Sequence, residues 1–166
     1  MNKITKKITI AAALIAIGLL LPQVLHVFGN GLAGMISPLH IPAFFAGFLL
    51  GPIWGLGVGI LVPLLSSVIT GMPPLFPIGM AMMVEIGLYG LMSGLCNKKF
   101  NVWISLAIAI VVGRIGYVLA AAFLLQIFSF EGVVTSLIAN FSGGFIAIIV
   151  QFAIIPVLVT RLKKVI

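Results

Sequence analysis

Charge is the scarcest feature of this sequence. Only 7% of its 166 residues are charged and 63% are apolar, whereas a soluble domain averages about 25% charged residues. This scarcity excludes a soluble domain, because the chain has no charged surface to present to water. Its apolar runs have the length of membrane helices, unlike the alternating segments of about ten residues that build a β-barrel. The composition therefore predicts one compact, all-α membrane domain.

The sequence also lacks the patterns on which common enzyme classes depend. It has no G-x-x-x-x-G-K-[ST] motif, so the chain does not bind ATP through a P-loop. H-E-x-x-H, a nucleophile elbow and paired membrane aspartates are absent as well. The single Cys96 cannot form an intramolecular disulfide, and two histidines without a third ligand are weak evidence for a metal site. We therefore expect no enzymatic activity, no metal and no cofactor.

The basic residues that are present form three short clusters beside apolar runs, and they account for most of the net charge of +7. The positive-inside rule places such clusters in the cytoplasm. A nucleic-acid partner would require a continuous basic stripe on a soluble face, so we expect none. The clusters are Lys3, Lys6 and Lys7; Lys98 and Lys99; and Arg161, Lys163 and Lys164.

Hydropathy and the glycine–proline breaks divide the chain into six membrane helices with both termini in the cytoplasm. An outer loop, residues 128–133, then carries Glu131. A basic start followed by an apolar run is also typical of a signal peptide, but no small-x-small cleavage site follows, so we expect the first helix to be retained. The predicted helices span residues 5–27, 40–50, 53–69, 78–95, 102–127 and 134–160.

The second predicted helix is short, and glycines continue across its end. It covers about 17 Å of a hydrocarbon core about 30 Å thick, so it needs shielding by protein or help from flanking segments. Gly47, Gly51, Gly55 and Gly59 follow one another every fourth residue. Such spacing lets helix backbones approach closely. It indicates either packing inside the domain or a docking face for a partner.

Two charged residues fall inside hydrophobic runs, namely Glu85 in the fourth predicted helix and Arg114 in the fifth. A charge at the bilayer centre costs at least about 2.5–3.5 kcal/mol on insertion scales, so each requires a partner or a function. Their predicted depths differ by about one helical turn, so they are able to pair. Two hypotheses stay open: a structural ion pair, or a site where one or both bind a polar solute.

Three further residues are candidates for ligand contact. Asn140 lies in the sixth predicted helix, where its amide needs an interhelical or ligand partner. His40 stands at the edge of the glycine-rich outer loop, residues 28–39. Tyr117 follows Arg114 by about one turn on a similar face. For His40 the alternative is an ordinary interfacial residue, and Gln151, deeper in the sixth helix, is expected to be structural.

The segment from Leu39 to Gly94 resembles the substrate-binding S components of energy-coupling factor (ECF) transporters. The matching features are the LHIPAFFAGFLLGP start, the glycine-rich third segment, the TGMPPLFP loop and the glutamate-bearing helix after it. The resemblance implies a subunit in a prokaryotic plasma membrane that captures a vitamin or precursor from outside. Its pocket would lie in the outer halves of helices four to six, under the loop 28–39 as a lid.

The same resemblance implies partners. S components dock on a membrane coupling (T) subunit, and two ATPase subunits supply the energy. Similar S components dock through an A-x-x-x-A pattern in the first helix, which Ala12 and Ala16 match here. Small residues at this spacing allow a partner helix to approach closely.

The substrate and the competing functions stay open at this point. Arg114 suits a carboxylate such as pantothenate or nicotinate, and Glu85 suits a donor-rich ring such as a pyridoxine, but neither argument holds if the two neutralise one another. One alternative function is a small oligomeric channel or exporter, with the Gly47–Gly59 ladder as its interface. The other is a membrane assembly factor without a small ligand.

Overall fold

The computed structural model describes residues 2–27, 36–126 and 130–164, and within these ranges the chain is helical without a strand. Five helical segments of the described chain are long and apolar enough to cross a membrane, and a shorter apolar one spans Pro38–Leu50. The expectation of an all-α membrane protein is confirmed. The helices are α1 (Lys3–Val27), α2 (Ile41–Leu50), α3 (Pro52–Thr70), α4 (Met80–Cys96), α5 (Val102–Leu125), α6 (Phe130–Gly143) and α7 (Phe145–Leu162).

Helix α2 is the buried centre of the bundle. Phe44 and Ala46 are fully buried, and Tyr89 of α4 stacks on the Phe44 ring. The short helix is thus shielded by protein, as its length predicts. It ends at Gly51, whose φ of 108° only glycine adopts readily. Pro52 then starts α3 in the first turn, where the missing N–H costs nothing.

The glycine ladder packs inside the domain. A Cβ at Gly47 or Gly55 would collide with the backbone of Gly90 on α4, and one at Gly59 would collide with the Ile86 carbonyl. Backbone therefore contacts backbone along the α2–α3–α4 interface, which is why these positions hold no side chain. The packing interpretation is confirmed. The ladder as an oligomer interface is wrong, because Gly47, Gly55 and Gly59 are buried.

The three basic clusters meet at one end of the bundle. Lys7 Nζ donates to the Leu50 carbonyl at 3.0 Å, which ties the start of α1 to the end of α2. Lys163 Nζ donates to Asn97 Oδ1 at 3.0 Å, which ties the end of α7 to the turn between α4 and α5. We call this end, defined by Lys7, Lys98 and Lys163, the basic end.

Two sequence predictions near the C-terminal part are wrong. The predicted single helix 134–160 is divided at Gly144 into α6 and α7, because consecutive glycines propagate a helix poorly. Helix α6 also begins at Phe130, so Glu131 lies in its first turn rather than in a loop. A carboxylate is favourable there because it faces the positive end of the helix dipole. Gly144 itself has φ −94° and ψ 6°.

The glycine-rich segment expected to form a lid is only partly described. Residues 28–35 lie outside the described residues. The described end of this segment is a short turn, Pro38–His40, that leads directly into α2. The lid stays a prediction.

Candidate functional site

Six polar side chains meet inside the otherwise apolar bundle, and we call them the polar network. They come from the turn before α2 and from four helices, α4 to α7. Every one of them is buried except Asn140, which is half-buried. The members are His40, Glu85, Tyr89, Arg114, Asn140 and Gln151.

The centre of the polar network is an ion pair between α4 and α5. Arg114 Nη1 lies 3.3 Å from Glu85 Oε1. The prediction from helix depth that the two residues can pair is confirmed. A buried pair is stable only when further hydrogen bonds satisfy its remaining groups. Tyr89 donates its hydroxyl to Glu85 Oε1 at 2.6 Å, and Arg114 Nη1 donates to Asn140 Oδ1 at 2.9 Å.

Tyr89 is the member that sequence reasoning missed. Its ring is fully buried, lies 4.8 Å from the Phe44 ring and is nearly parallel to it at 17°. Tyr89 follows Glu85 by four residues, which places both side chains on one face of a helix. That spacing is the signal that identifies Tyr89 as a partner of the carboxylate.

His40 belongs to the polar network instead of the membrane interface. Its ring is 4% exposed and meets the Tyr89 ring edge-on, with centroids 5.2 Å apart. Gln151 Nε2 lies 3.3 Å from His40 Nδ1. The alternative of an ordinary interfacial histidine is therefore wrong, since Gln151 gives the ring a buried partner.

Gly144 makes room for the guanidinium group at the break between α6 and α7. A Cβ at this position would overlap Nη2 of Arg114. The break therefore lets α6 end beside Arg114, with Asn140 in its last turn within hydrogen-bonding distance. The interhelical partner expected for Asn140 is thus Arg114.

Arg114 retains one donor without an acceptor. Its Nε is buried and has no hydrogen-bond partner among the described residues, a property that only Ser67 Oγ shares among buried side-chain atoms there. A buried N–H without an acceptor costs about 1–3 kcal/mol, and more on a charged group. The polar network is therefore short of one acceptor at the guanidinium.

Tyr117 is near the polar network without joining it. It lies three residues after Arg114 on α5 and is half-buried. Within the described part of the chain its hydroxyl makes no hydrogen bond to the six members. The structure thus brings together Glu85, Arg114, Asn140 and His40, and leaves Tyr117 beside them.

The polar network lies away from the basic end. By the helical rise of 1.5 Å per residue, Glu85 is about 17 Å before the end of α4, and Arg114 is about 18 Å after the start of α5. His40 stands about 15 Å before the end of α2 by the same rise. These residues therefore lie at similar heights, with Arg114 at the middle of α5 and Glu85 and His40 nearer the ends of their segments that face away from the basic end.

Ala12 and Ala16 lie on the outer face of α1. Both are exposed, while Ala11 on the inner face is 6% exposed. Ala12 also lines an apolar groove of about 360 Å³ between α1 and α3, whose other wall includes Trp54 and Gly57. A partner helix can therefore reach the two alanines without a change in this chain.

One comparison with known proteins identifies a family. A family model described as ECF transporter, substrate-specific component, matches residues 6–166, nearly the whole chain. Comparisons with curated proteins and with solved structures give no significant match.

Proposed function

The chain belongs to the ECF transporter substrate-specific component family, and on that premise we propose that it captures a small water-soluble vitamin or vitamin precursor at the polar network. Membership makes the chain a substrate-binding transport subunit instead of an enzyme. The observation that carries the assignment to this site is the set of buried polar side chains in an apolar bundle. Intramembrane ionisable groups are costly, and they mark solute sites in transport proteins.

The proposed substrate contacts use the groups of the polar network that can still form hydrogen bonds. Arg114 offers the Nε–H, which has no acceptor within the described ranges, and half-buried Asn140 stands beside it. Glu85 holds the guanidinium in place, with Tyr89 and His40 packed behind it. Tyr117 is positioned one turn away to contact the part of the substrate that extends past Arg114.

We propose a topology of six crossings in a prokaryotic plasma membrane, five by the long helices and one by the short α2. Both termini would then be cytoplasmic. The gathering of basic residues at one end supports this orientation through the positive-inside rule. The polar network would then lie between the membrane centre and the outer side, from which the substrate arrives, within one compact domain.

A membrane coupling subunit and two ATPase subunits complete the proposed transporter. The chain has no P-loop of its own, so the energy of ATP hydrolysis has to enter through partners. Ala12 and Ala16 form the proposed docking face for the coupling subunit. Their exposure and the groove beside them support this assignment.

Two asparagine substitutions test the binding site, because each asparagine accepts a hydrogen bond from a cationic side chain. Asn140→Ala removes an amide that is proposed to contact the substrate and that also positions Arg114. We expect bound small molecules to be retained about 10- to 100-fold less tightly, because a hydrogen bond that involves a charged group contributes about 1.5–3 kcal/mol. Asn97→Ala removes the acceptor of Lys163 at the basic end and is the matched control. Mass spectrometry of molecules released from the purified protein measures both.

Equal retention in the two variants would contradict the site. Wild-type protein that releases no small molecule at all would instead favour the assembly-factor alternative. Thermal unfolding in detergent shows in either case whether a variant is folded.

The docking face is tested by separating binding from uptake. Replacing Ala12 or Ala16 by Trp is expected to leave substrate binding intact and to reduce uptake by cells at least tenfold, because a bulky side chain keeps the partner helix at a distance. Ala153→Trp, at an exposed position on α7, is the control. Normal uptake in the α1 variants would show that the partner binds elsewhere.

A further inference from the structure

The polar network has no net charge, and in the described part of the chain one of its donors lacks an acceptor. From these two features we propose that the substrate carries no net charge at neutral pH and presents a hydrogen-bond acceptor to Arg114. The inference rests on the proposed function, because it takes the polar network as the binding site.

The first feature is the charge balance. The guanidinium charge of Arg114 is neutralised by Glu85 at 3.3 Å, and Tyr89 donates to the same carboxylate oxygen. The remaining members of the polar network, among them His40 and Asn140, add no formal charge. The other charged side chains of the described residues lie at helix ends, such as Lys7 and Glu131.

The second feature is the pattern of donors. Arg114 Nη1 is engaged by both Glu85 and Asn140, whereas Arg114 Nε is buried without an acceptor among the described residues. Asn140 uses its oxygen as the acceptor, so its amide nitrogen keeps two hydrogens to donate. The site therefore offers N–H donors from two side chains. A neutral carbonyl oxygen, as in an amide or a lactam, or an unprotonated ring nitrogen complements them.

A charged substrate fits this site poorly. A charge that leaves water for a buried site needs an opposite charge there, and the desolvation cost otherwise exceeds the gain. A carboxylate would have to share Arg114 with Glu85, which brings two negative groups against one positive group. The sequence argument that Arg114 suits a carboxylate, and the one that Glu85 suits a donor-rich ring, both fail because the two residues neutralise one another.

The experiment reads the net charge of the bound molecule directly. Wild-type protein from cells grown in rich medium is purified in mild detergent, and its small molecules are released by organic solvent. Capillary electrophoresis at pH 7 with mass detection separates them by charge. The bound molecule is the one enriched at least tenfold over Asn140→Ala protein, and we expect it to migrate with a neutral marker.

Each result has a definite consequence. An enriched anion or cation overturns the inference but leaves the proposed function standing, because a small molecule is bound. No enriched molecule overturns the proposed function itself, and the inference with it.

A charge variant gives a second, independent reading. Glu85→Gln leaves Arg114 without its countercharge, so we expect the released fraction to gain anions at least tenfold over wild type. Glu131→Gln, the same change at the exposed acid in the first turn of α6, is the matched control and is expected to match wild type. An unchanged charge distribution in folded Glu85→Gln protein overturns the inference. If this variant does not fold, the electrophoresis of molecules released from wild-type protein remains the test.

Discussion

The position of the Arg114 side chain is determined by the groups that it contacts. Its charge is balanced by Glu85, its Nη1 also donates to Asn140, and Gly144 leaves space for its guanidinium group. None of these contacts is local in sequence, since they join α5 to α4, to α6 and to the break before α7. The ion pair in turn depends on Tyr89, which donates to the carboxylate.

Tyr89→Phe tests how much this donor contributes. The substitution removes the 2.6 Å hydrogen bond to Glu85 but keeps the ring that stacks on Phe44. We expect the free energy of unfolding to fall by about 1.5–3 kcal/mol, because the acceptor is a charged group. Unfolding in detergent micelles, followed by circular dichroism, measures the change.

Tyr117→Phe is the control for the same chemical change, and a half-buried hydroxyl outside the polar network should alter stability by less than about 0.5 kcal/mol. Equal losses in the two variants would show that the Glu85 hydrogen bond contributes nothing of its own.

At the scale of elements, glycine sets how closely α2 and α3 approach α4. Gly90 is central, because Cβ atoms built at Gly47 and at Gly55 both collide with its backbone. Close packing without side chains brings the helices into extensive contact, which replaces the hydrophobic effect that is missing between helices in lipid. This packing holds the α4 residues Glu85 and Tyr89 against α2 and against His40 in the turn before it.

Gly90→Ala is expected to destabilise the protein by about 1–3 kcal/mol or more, because the new methyl group meets the Gly55 backbone, which cannot rotate away. Gly57→Ala is the matched control on α3, since a Cβ there has no atom within 4 Å. A helical Gly→Ala change without a collision is stabilising by about 0.5–1 kcal/mol. Thermal unfolding of the purified variants measures both, and the same sign for the two would contradict the packing argument.

At the scale of the whole molecule, charge distinguishes the two ends of the bundle. The basic end gathers parts of α1, α7 and the turn between α4 and α5, whereas the polar network lies about 15–18 Å from it along the helices. Glu131 is exposed in the first turn of α6. On the proposed topology, Lys98 and Glu131 therefore stand on opposite sides of the membrane.

Cysteine labelling checks this orientation. With the single native cysteine removed by Cys96→Ala, we expect Lys98→Cys to resist a membrane-impermeant maleimide in right-side-out vesicles and to react after permeabilisation. Glu131→Cys is expected to react in intact vesicles, because it would lie outside. The Cys96→Ala parent controls for background, and the reversed pattern would require the opposite topology.

The class of fold and most members of the polar network were predictable from the amino-acid sequence alone. The bilayer sets the length of apolar runs, and glycine and proline interrupt them, so the starts of α3 and α5 fall within one residue of their predicted positions. Glu85, Arg114 and Asn140 were identifiable because a polar group inside a membrane helix is costly whichever way its side chain faces. This free-energy cost is a property of the single residue, so it can be recognised without knowing which helices pack together.

How those residues contact one another depends on the packing of the helices. Tyr89 as a donor, His40 as a buried partner of Gln151 and the break at Gly144 all depend on which faces of distant helices meet. Whether the glycine ladder faces into the bundle also depends on which helix faces meet. Helix packing selects one set of contacts among many that the sequence permits, because a pairing energy exists only once two helices have been brought together.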